Sequence, residues 1–376
     1  MRVTVEREAL YAALSRVARI APRSAPNPVL SFVKIEAFED ELFISATDLA
    51  TRIVAEVTGQ RKIDQVGVCL LPAQALTLAL RASAAAWVGL ATPDSQASAV
   101  QMGIGRAAYR WKTLPPAHFP DILTLNTEAE HHVLDRGSFL AAVQAVRTAI
   151  PTSADPRFDQ VGITGGLFQA ADGNRYHQVF AEDAVSVHAA LPTDFLTDVL
   201  GLVGGSAENK LILGLSEDKL AISVRIGSVI LMTRARAEAF PDVTEVFATA
   251  RRVNTEPLVL DRNELLSAVR RIRMVADAES GAIALKLTDG EVLVSARQQS
   301  GSRATEPVPA SWSGPPRTLV LHHSHLVGLL EMFDPGPVRL MVGPDSRTKP
   351  GSVYLADDTR CGVVHQLRMR WYDDGL

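Results

Sequence analysis

The sequence predicts an α+β protein made of three like units, each with two helices packed on antiparallel sheet. One short pattern occurs three times: Val5, Glu6, Arg7, Leu10, Leu14 and Val17 return as Leu134, Asp135, Arg136, Phe139, Val143 and Val146, then as Leu260, Asp261, Arg262, Leu265, Val269 and Ile272. The copies lie roughly 125 residues apart, an ordinary domain length. Each copy opens strand-like, continues at helical spacing, and is followed by alternating apolar runs separated by turn residues. A chain of 376 residues, 47% of them hydrophobic, has enough apolar material for a core in each third.

The first unit starts with a β-type stretch at 2–5 and a helix whose apolar face is Leu10, Ala13, Leu14, Val17 and Ala21. In the third unit the stretch is 258–260 and the face is Leu265, Ala268, Val269, Ile272 and Val275. Pro22, Pro151 and the 277–281 stretch end the three helices. Strand-like runs follow at 33–38, 41–46 and 51–57, and in the third unit at 283–288 and 292–296. Asp289-Gly290 and Gly165-Gly166 suit tight hairpins, so the sheet is expected to be antiparallel. A second helix in each unit is expected after Leu71-Pro72-Ala73, Leu191-Pro192-Thr193 and Leu321-His322-His323, with proline at a first helical position. The strands 44–48, 168–172 and 293–297 also correspond, and Phe-Pro-Asp turns at 119–121 and 240–242 close units one and two. The most apolar window, 68–91, is broken by Pro72, Gln74 and Arg81 and reads as buried helix plus strand.

Several function classes are disfavoured. A net charge of −4 argues against coating nucleic acid by bulk attraction, although a local basic surface still attracts phosphates. Cys69 and Cys361 are too few for a disulfide framework, and the N-terminus lacks the apolar run of a signal peptide, so a cytoplasmic protein with no membrane association is expected. No catalytic constellation stands out, and neither metal nor cofactor is expected. Gly103-x-Gly105 lacks the third glycine of a dinucleotide loop and reads as a hairpin before Tyr109. His322, His323 and His325 lack the i, i+4 spacing of helical ligands, and His131-His132 sits at a unit junction. Asp48 and Asp172 occupy corresponding positions in two copies, which suits turn formers copied with their fold.

Taken in order along the chain, Val5-Glu6-Arg7, Thr47-Asp48-Leu49, Thr113-Leu114-Pro115 with Phe119-Pro120-Asp121, Asp172-Gly173-Asn174-Arg175, Phe240-Pro241-Asp242 and Met369-Arg370 resemble the bacterial DNA polymerase III beta subunit family, the sliding clamps. The resemblance spans the whole chain. It implies clamp-type domains at 1–126, 127–253 and 254–376, forming half of a ring that a head-to-tail homodimer completes around double-stranded DNA. Such a ring is a non-enzymatic processivity factor that holds DNA by enclosure, so its phosphate attraction must stay shallow for it to slide.

Residues expected to face DNA are Arg7, Arg16, Arg19, Arg23, Arg81, Arg136, Arg147, Arg262, Arg270, Arg271 and Arg273, the 270–273 cluster foremost. The second copy is poorer, with Gly137, Ala141, Gln144 and Thr148 opposite its apolar face. For the dimer the resemblance points to Tyr109 meeting Met274 and Val275, against an alternative in which these are core positions.

The resemblance further implies an apolar cleft for peptides of polymerases and the clamp loader, using Arg157, Gly173, Arg175, Tyr176, Pro241, Val246, Leu367, Met369 and Arg370. At Gln160, Asn174 and Glu245 the chain departs from the family's usual leucine, histidine and arginine, and Arg368 replaces a proline. Glu245 should penalise acidic peptides. The chain also runs on past the Met-Arg pair as Trp371-Tyr372-Asp373-Asp374-Gly375-Leu376, a tail that either folds over the groove or frays. These departures leave a second reading open: a clamp-like paralogue beside a housekeeping copy, serving a restricted partner.

Overall fold

In the first copy of the repeat, β1 (Arg2–Glu6) leads into α1 (Arg7–Val17), then β2 (Phe32–Ala37), β3 (Leu42–Thr47), β4 (Thr51–Glu56), β5 (Arg61–Gln65) and β6 (Gly67–Pro72). It continues with α2 (Ala73–Ala82), β7 (Trp87–Ala91), β8 (Ala99–Ile104) and β9 (Ala107–Lys112). The second copy runs β10 (Glu130–Asp135), α3 (Arg136–Val146), β11 (Gln160–Thr164), β12 (Leu167–Ala171), β13 (Arg175–Phe180), β14 (His188–Pro192), α4 (Thr193–Val203), β15 (Lys210–Leu215), β16 (Ala221–Ile226) and β17 (Val229–Arg234). After α5 (Thr244–Val253) the third copy runs β18 (Glu256–Asp261), α6 (Arg262–Ile272), β19 (Ala282–Thr288), β20 (Glu291–Arg297), β21 (Arg303–Trp312), β22 (Arg317–His322), α7 (His323–Glu331), β23 (Pro337–Val342), β24 (Ser352–Ala356) and β25 (Arg360–His365). This computed structural model describes residues 1–92, 99–120, 130–151, 155–344 and 351–367; Asp121, Arg368, Met369, Arg370 and the 371–376 tail lie outside the described residues.

The helices form where apolar residues recur at three- and four-residue steps. Leu10, Ala13, Leu14 and Val17 are buried on α1, as are Phe139, Ala142, Val143 and Val146 on α3 and Leu265, Ala268, Val269 and Ile272 on α6. Each large side chain so buried contributes roughly 1.5–3 kcal/mol. Ala21 and Val275, placed on these faces by spacing, fall beyond the helix ends.

Hairpins are tight where the turn chemistry demands it. Gly165 and Gly166, both at positive φ (59° and 84°), join β11 to β12, and Asp289-Gly290 joins β19 to β20. Pro72 and Pro192 close β6 and β14 rather than opening the helices, pairing with Phe32 and Gln160 at sheet edges where a missing amide breaks no ladder.

One arginine performs the same task in every copy. The N–H of Arg7, Arg136 and Arg262 donates at 2.9 Å to the carbonyl of Ala86, Asn209 and Gly336, the residue just before β7, β15 and β23. The guanidinium then reaches a carbonyl at the end of the second helix: Leu80 at 3.2 Å, Val203 at 3.4 Å and Leu330 at 2.8 Å. It thereby satisfies acceptors that a helix C-terminus leaves open.

The chain groups into two bodies, one of 1–136 with 194–236 and one of 137–193 with 237–376. The first holds the sheets β5-β1-β7-β8-β9 and β10-β15-β16-β17-β4-β3-β2-β6. The second holds β14-β11-β12-β13-β25-β24-β23-β18-β21-β20-β19-β22. Copies are joined within these sheets by the last strand of one copy lying on the third inner strand of the copy before it, β17 on β4 and β25 on β13.

Candidate partner cleft and nucleic-acid interface

The arginines singled out for phosphate contact divide by environment. Arg7, Arg136 and Arg262 are half-buried in the helix-end clips, so their guanidinium groups are already committed to backbone carbonyls. Arg16, Arg23, Arg81 and Arg147 are exposed. Arg19 lies against Gly201 of α4, in a small recess shared with Arg16 and Asp198. Burial and then the Asp48 charge raise the Asp198 carboxyl, with Arg19 opposing.

The cluster at the end of α6 is partly neutralised. Arg270 pairs with Glu331 of α7 at 2.6 Å, and Arg271 forks onto Glu306 of β21, its Nε at 3.0 Å. Arg273 carries no ion pair among the described residues. Two of the three foremost candidates must therefore exchange a carboxylate for a phosphate in order to bind one.

The expected cleft is built around β13 and α5. Gly173 (φ 89°) makes the turn into β13, and the Asp172 carboxylate accepts from the amides of Asn174 and Arg175, both at 2.9 Å, as an Asx turn does. Asp48 makes the equivalent turn with Ala50 and Thr51. The buried Arg175 guanidinium meets Asp172 at 2.8 Å and the Ile150 carbonyl at 3.3 Å. Tyr176 donates its hydroxyl to the Gly173 carbonyl at 3.0 Å and sets its ring edge-on to His365; burial and then Asp172 push the phenol up.

Tyr176 and Val246 come together on one buried cluster of Ala171, Val243, Phe247, Ala250, Tyr354, Cys361 and Val363, which Phe158, Phe240 and Met341 also cover. Pro241 is half-buried beside α5, and Glu245 is exposed on its first turn. Gln160 is fully buried, donating to the carbonyls of Arg157 and Glu238 at 3.2 and 2.8 Å, so it holds the frame of the cleft rather than its surface. Arg157 is exposed and chelated by Asp155 at 2.7 and 3.1 Å. Leu367 goes to a separate cluster with Ala282, Ala284 and Val320. Met369, Arg370 and the tail, read from the sequence as either folding over the groove or fraying, are outside the described residues.

Sequence reasoning missed α5, the packing of Phe158 and Phe240 on this cluster, and the neighbours of Asp172. His325 approaches Asp172 at 3.6 Å, and His322 stacks on both His323 and His325, with centroids 5.0 and 4.6 Å apart. Burial, reinforced by Arg175, pulls His325 down to about 4, with Asp172 opposing. No signal in the linear sequence joins residues so far apart. Among the described residues no group of His, Cys, Asp and Glu is arranged to hold a metal, and no helix is long and apolar enough to cross a membrane.

Tyr109 lies half-buried on β9, an edge strand, with its ring 5.2 Å from that of Trp111. Met274 is 81% exposed, which excludes a core role for it, and Val275 is half-buried. Trp111 is a further interface candidate that sequence reasoning passed over.

A family model described as DNA polymerase III beta subunit, N-terminal domain, matches residues 1–124. A beta sliding clamp from Caulobacter vibrioides is 25% identical over 380 residues, covering 94% of this chain and 98% of that protein. One from Chlamydia muridarum is 22% identical over 388 residues, covering all of both. The fold matches the crystal structure of DNA polymerase III subunit beta from Pseudomonas aeruginosa with a TM-score of 0.86 at 20% identity, over 98% of this chain and 100% of that one. It matches the pol III beta structure from Caulobacter crescentus with a TM-score of 0.85 at 22% identity and the same coverage.

Proposed function

We propose that this chain, a divergent member of the DNA polymerase III beta subunit family, is a sliding clamp: a homodimeric ring around duplex DNA that tethers a replicative polymerase and other replication proteins. It acts in the cytoplasm, without catalysis of its own. Its clamp domains are 1–126, 127–253 and 254–376. Partner peptides dock on the surface of Tyr176, Pro241 and Val246.

The observation that carries this reading is the rule by which copies join. β17 on β4 and β25 on β13 use up two last strands and two inner strands, which leaves β9 and β21 as the counterparts still to be paired. A second molecule supplies each with the other, and two molecules then close on themselves by a two-fold axis. The exposed Met274 and the half-buried Tyr109–Trp111 pair give the junction apolar groups to bury.

Gln160 and Glu245, which suggested a restricted paralogue, lie in the frame of the cleft and on the open face of α5. Altered peptide preference is compatible with a working clamp. Light scattering on a size-exclusion column tests the assembly: a dimer is expected at micromolar concentration, and a monomer at every concentration would contradict it.

A further inference from the structure

The two junctions inside the chain are built alike. β17 lies on β4 with Thr233 opposite Thr51 and Val229 opposite Ala55, and just beyond, the Glu56 amide donates to the Ser228 carbonyl at 2.9 Å. β25 lies on β13 with Val364 opposite Arg175 and Arg360 opposite Val179, and just beyond, the Phe180 amide donates to the Thr359 carbonyl at 2.8 Å. The hairpins that precede these strands align the three copies: Thr47 faces Arg52, Ala171 faces Tyr176 and Arg297 faces Arg303. The strand equivalent to 44–48 and 168–172 is therefore 294–298, one residue on from the 293–297 expected from the sequence, because the third hairpin loop is one residue longer. Counting four residues on from Arg52, Tyr176 and Arg303, Glu56, Phe180 and Pro307 share one position.

Over 303–309, β21 is paired on one side only, to β20; β18 takes Ala310, Ser311 and Trp312. Bonds at both ends fix which groups face the open side. Gln298 donates to the Ser302 carbonyl at 2.8 Å, Ala310 donates to the Gly290 carbonyl at 3.0 Å, and the register between them is unbroken. Even-numbered residues of this stretch therefore bond inward, and odd-numbered ones present their backbone to the open edge. There Arg303 and Thr305 offer both donor and acceptor, whereas Pro307 and Pro309 offer carbonyls alone.

We propose that β21 receives β9 of a second copy in the register of the two internal junctions, and that Pro307 removes the bond which closes each of those. The contact between molecules is then one bond shorter than its internal counterparts and is the place where the assembly opens. By the same register the acceptor left without a donor is the Arg106 carbonyl, which precedes β9 as Ser228 precedes β17. Proline here also denies the open edge to foreign strands, so one residue protects the edge and loosens the closure. The inference rests on the clamp reading and adds the origin of its opening.

Pro307→Thr restores an amide on a β-compatible residue. Pro309→Thr is the control, because its counterparts Thr58 and Glu182 make no bond across either internal junction among the described residues. Subunit exchange between donor- and acceptor-labelled protein, followed by energy transfer, reads opening; sedimentation reads the dimer constant; thermal unfolding verifies each fold. Pro307→Thr should slow exchange and tighten the dimer roughly tenfold, since two symmetric junctions each regain one backbone bond. Pro309→Thr should keep wild-type values. A wild-type dimer whose exchange is unchanged or faster in Pro307→Thr overturns the inference and leaves the clamp reading standing. Wild type and variant both monomeric overturn the two together.

Discussion

Arginine is the residue through which this chain is most easily misread. Equivalent positions in a repeat suggest equivalent function, yet Arg7, Arg136 and Arg262 are kept by backbone geometry: each ties the start of one helix to the end of another. Lysine lacks the fork needed to do this, so Arg262→Lys should destabilise the protein by about 1 kcal/mol, read by denaturant unfolding. At the end of α6, Glu331 and Glu306 hold Arg270 and Arg271 in ion pairs that a phosphate would have to displace. Replacing both with glutamine should raise duplex affinity and steepen its salt dependence by about one unit of log–log slope per arginine released; a fall in affinity would show that the carboxylates position the arginines instead. His177 is fully buried and pulled down to about 3, chiefly by burial and then by Arg175. An imidazole depressed in the folded state is protonated first in the unfolded chain, so stability should decline as pH falls from 6.5 towards 3. His177→Gln should flatten that decline in unfolding curves taken across the range.

Helices with a repeated apolar face and hairpins marked by Asp-Gly or Gly-Gly were legible in the sequence because spacing alone dictates them. The turns at Asp48 and Asp172 were legible for the same reason: a short carboxylate captures amides two and three residues on. α5 was not, although Phe247 and Ala250 anchor it, because its short amphipathic run follows a turn and imitates a loop passing the cleft. Nor were the histidines beside Asp172, which only tertiary folding delivers. α5 matters to the proposed cleft because Phe247 packs in the same cluster as Tyr176 and Val246. Phe247→Ala should cost about 3 kcal/mol of stability and weaken a polymerase-derived peptide as well, measured by calorimetry. Glu245→Arg, on the exposed turn, should leave stability unchanged and improve binding of acidic peptides; equal binding of acidic and neutral peptides before and after would remove Glu245 from the cleft.

At the level of the molecule, each copy of the repeat buries the apolar face of its first helix, two last strands join copies, and among the described residues β9 and the 303–309 stretch of β21 each keep one open side. A net charge of −4 fits the proposed clamp, in which enclosure, rather than a strongly basic surface, would retain DNA. The neutral face of α3 and the paired arginines of α6 suit the shallow grip that the proposed clamp needs in order to slide. The most direct test loads the protein with a clamp loader onto nicked circular DNA and onto the same DNA cut to a line, then measures how much stays bound after a salt wash. Retention on the circle with rapid loss from the linear ends is the predicted result. Equal retention on both, or none on either, would contradict an encircling clamp.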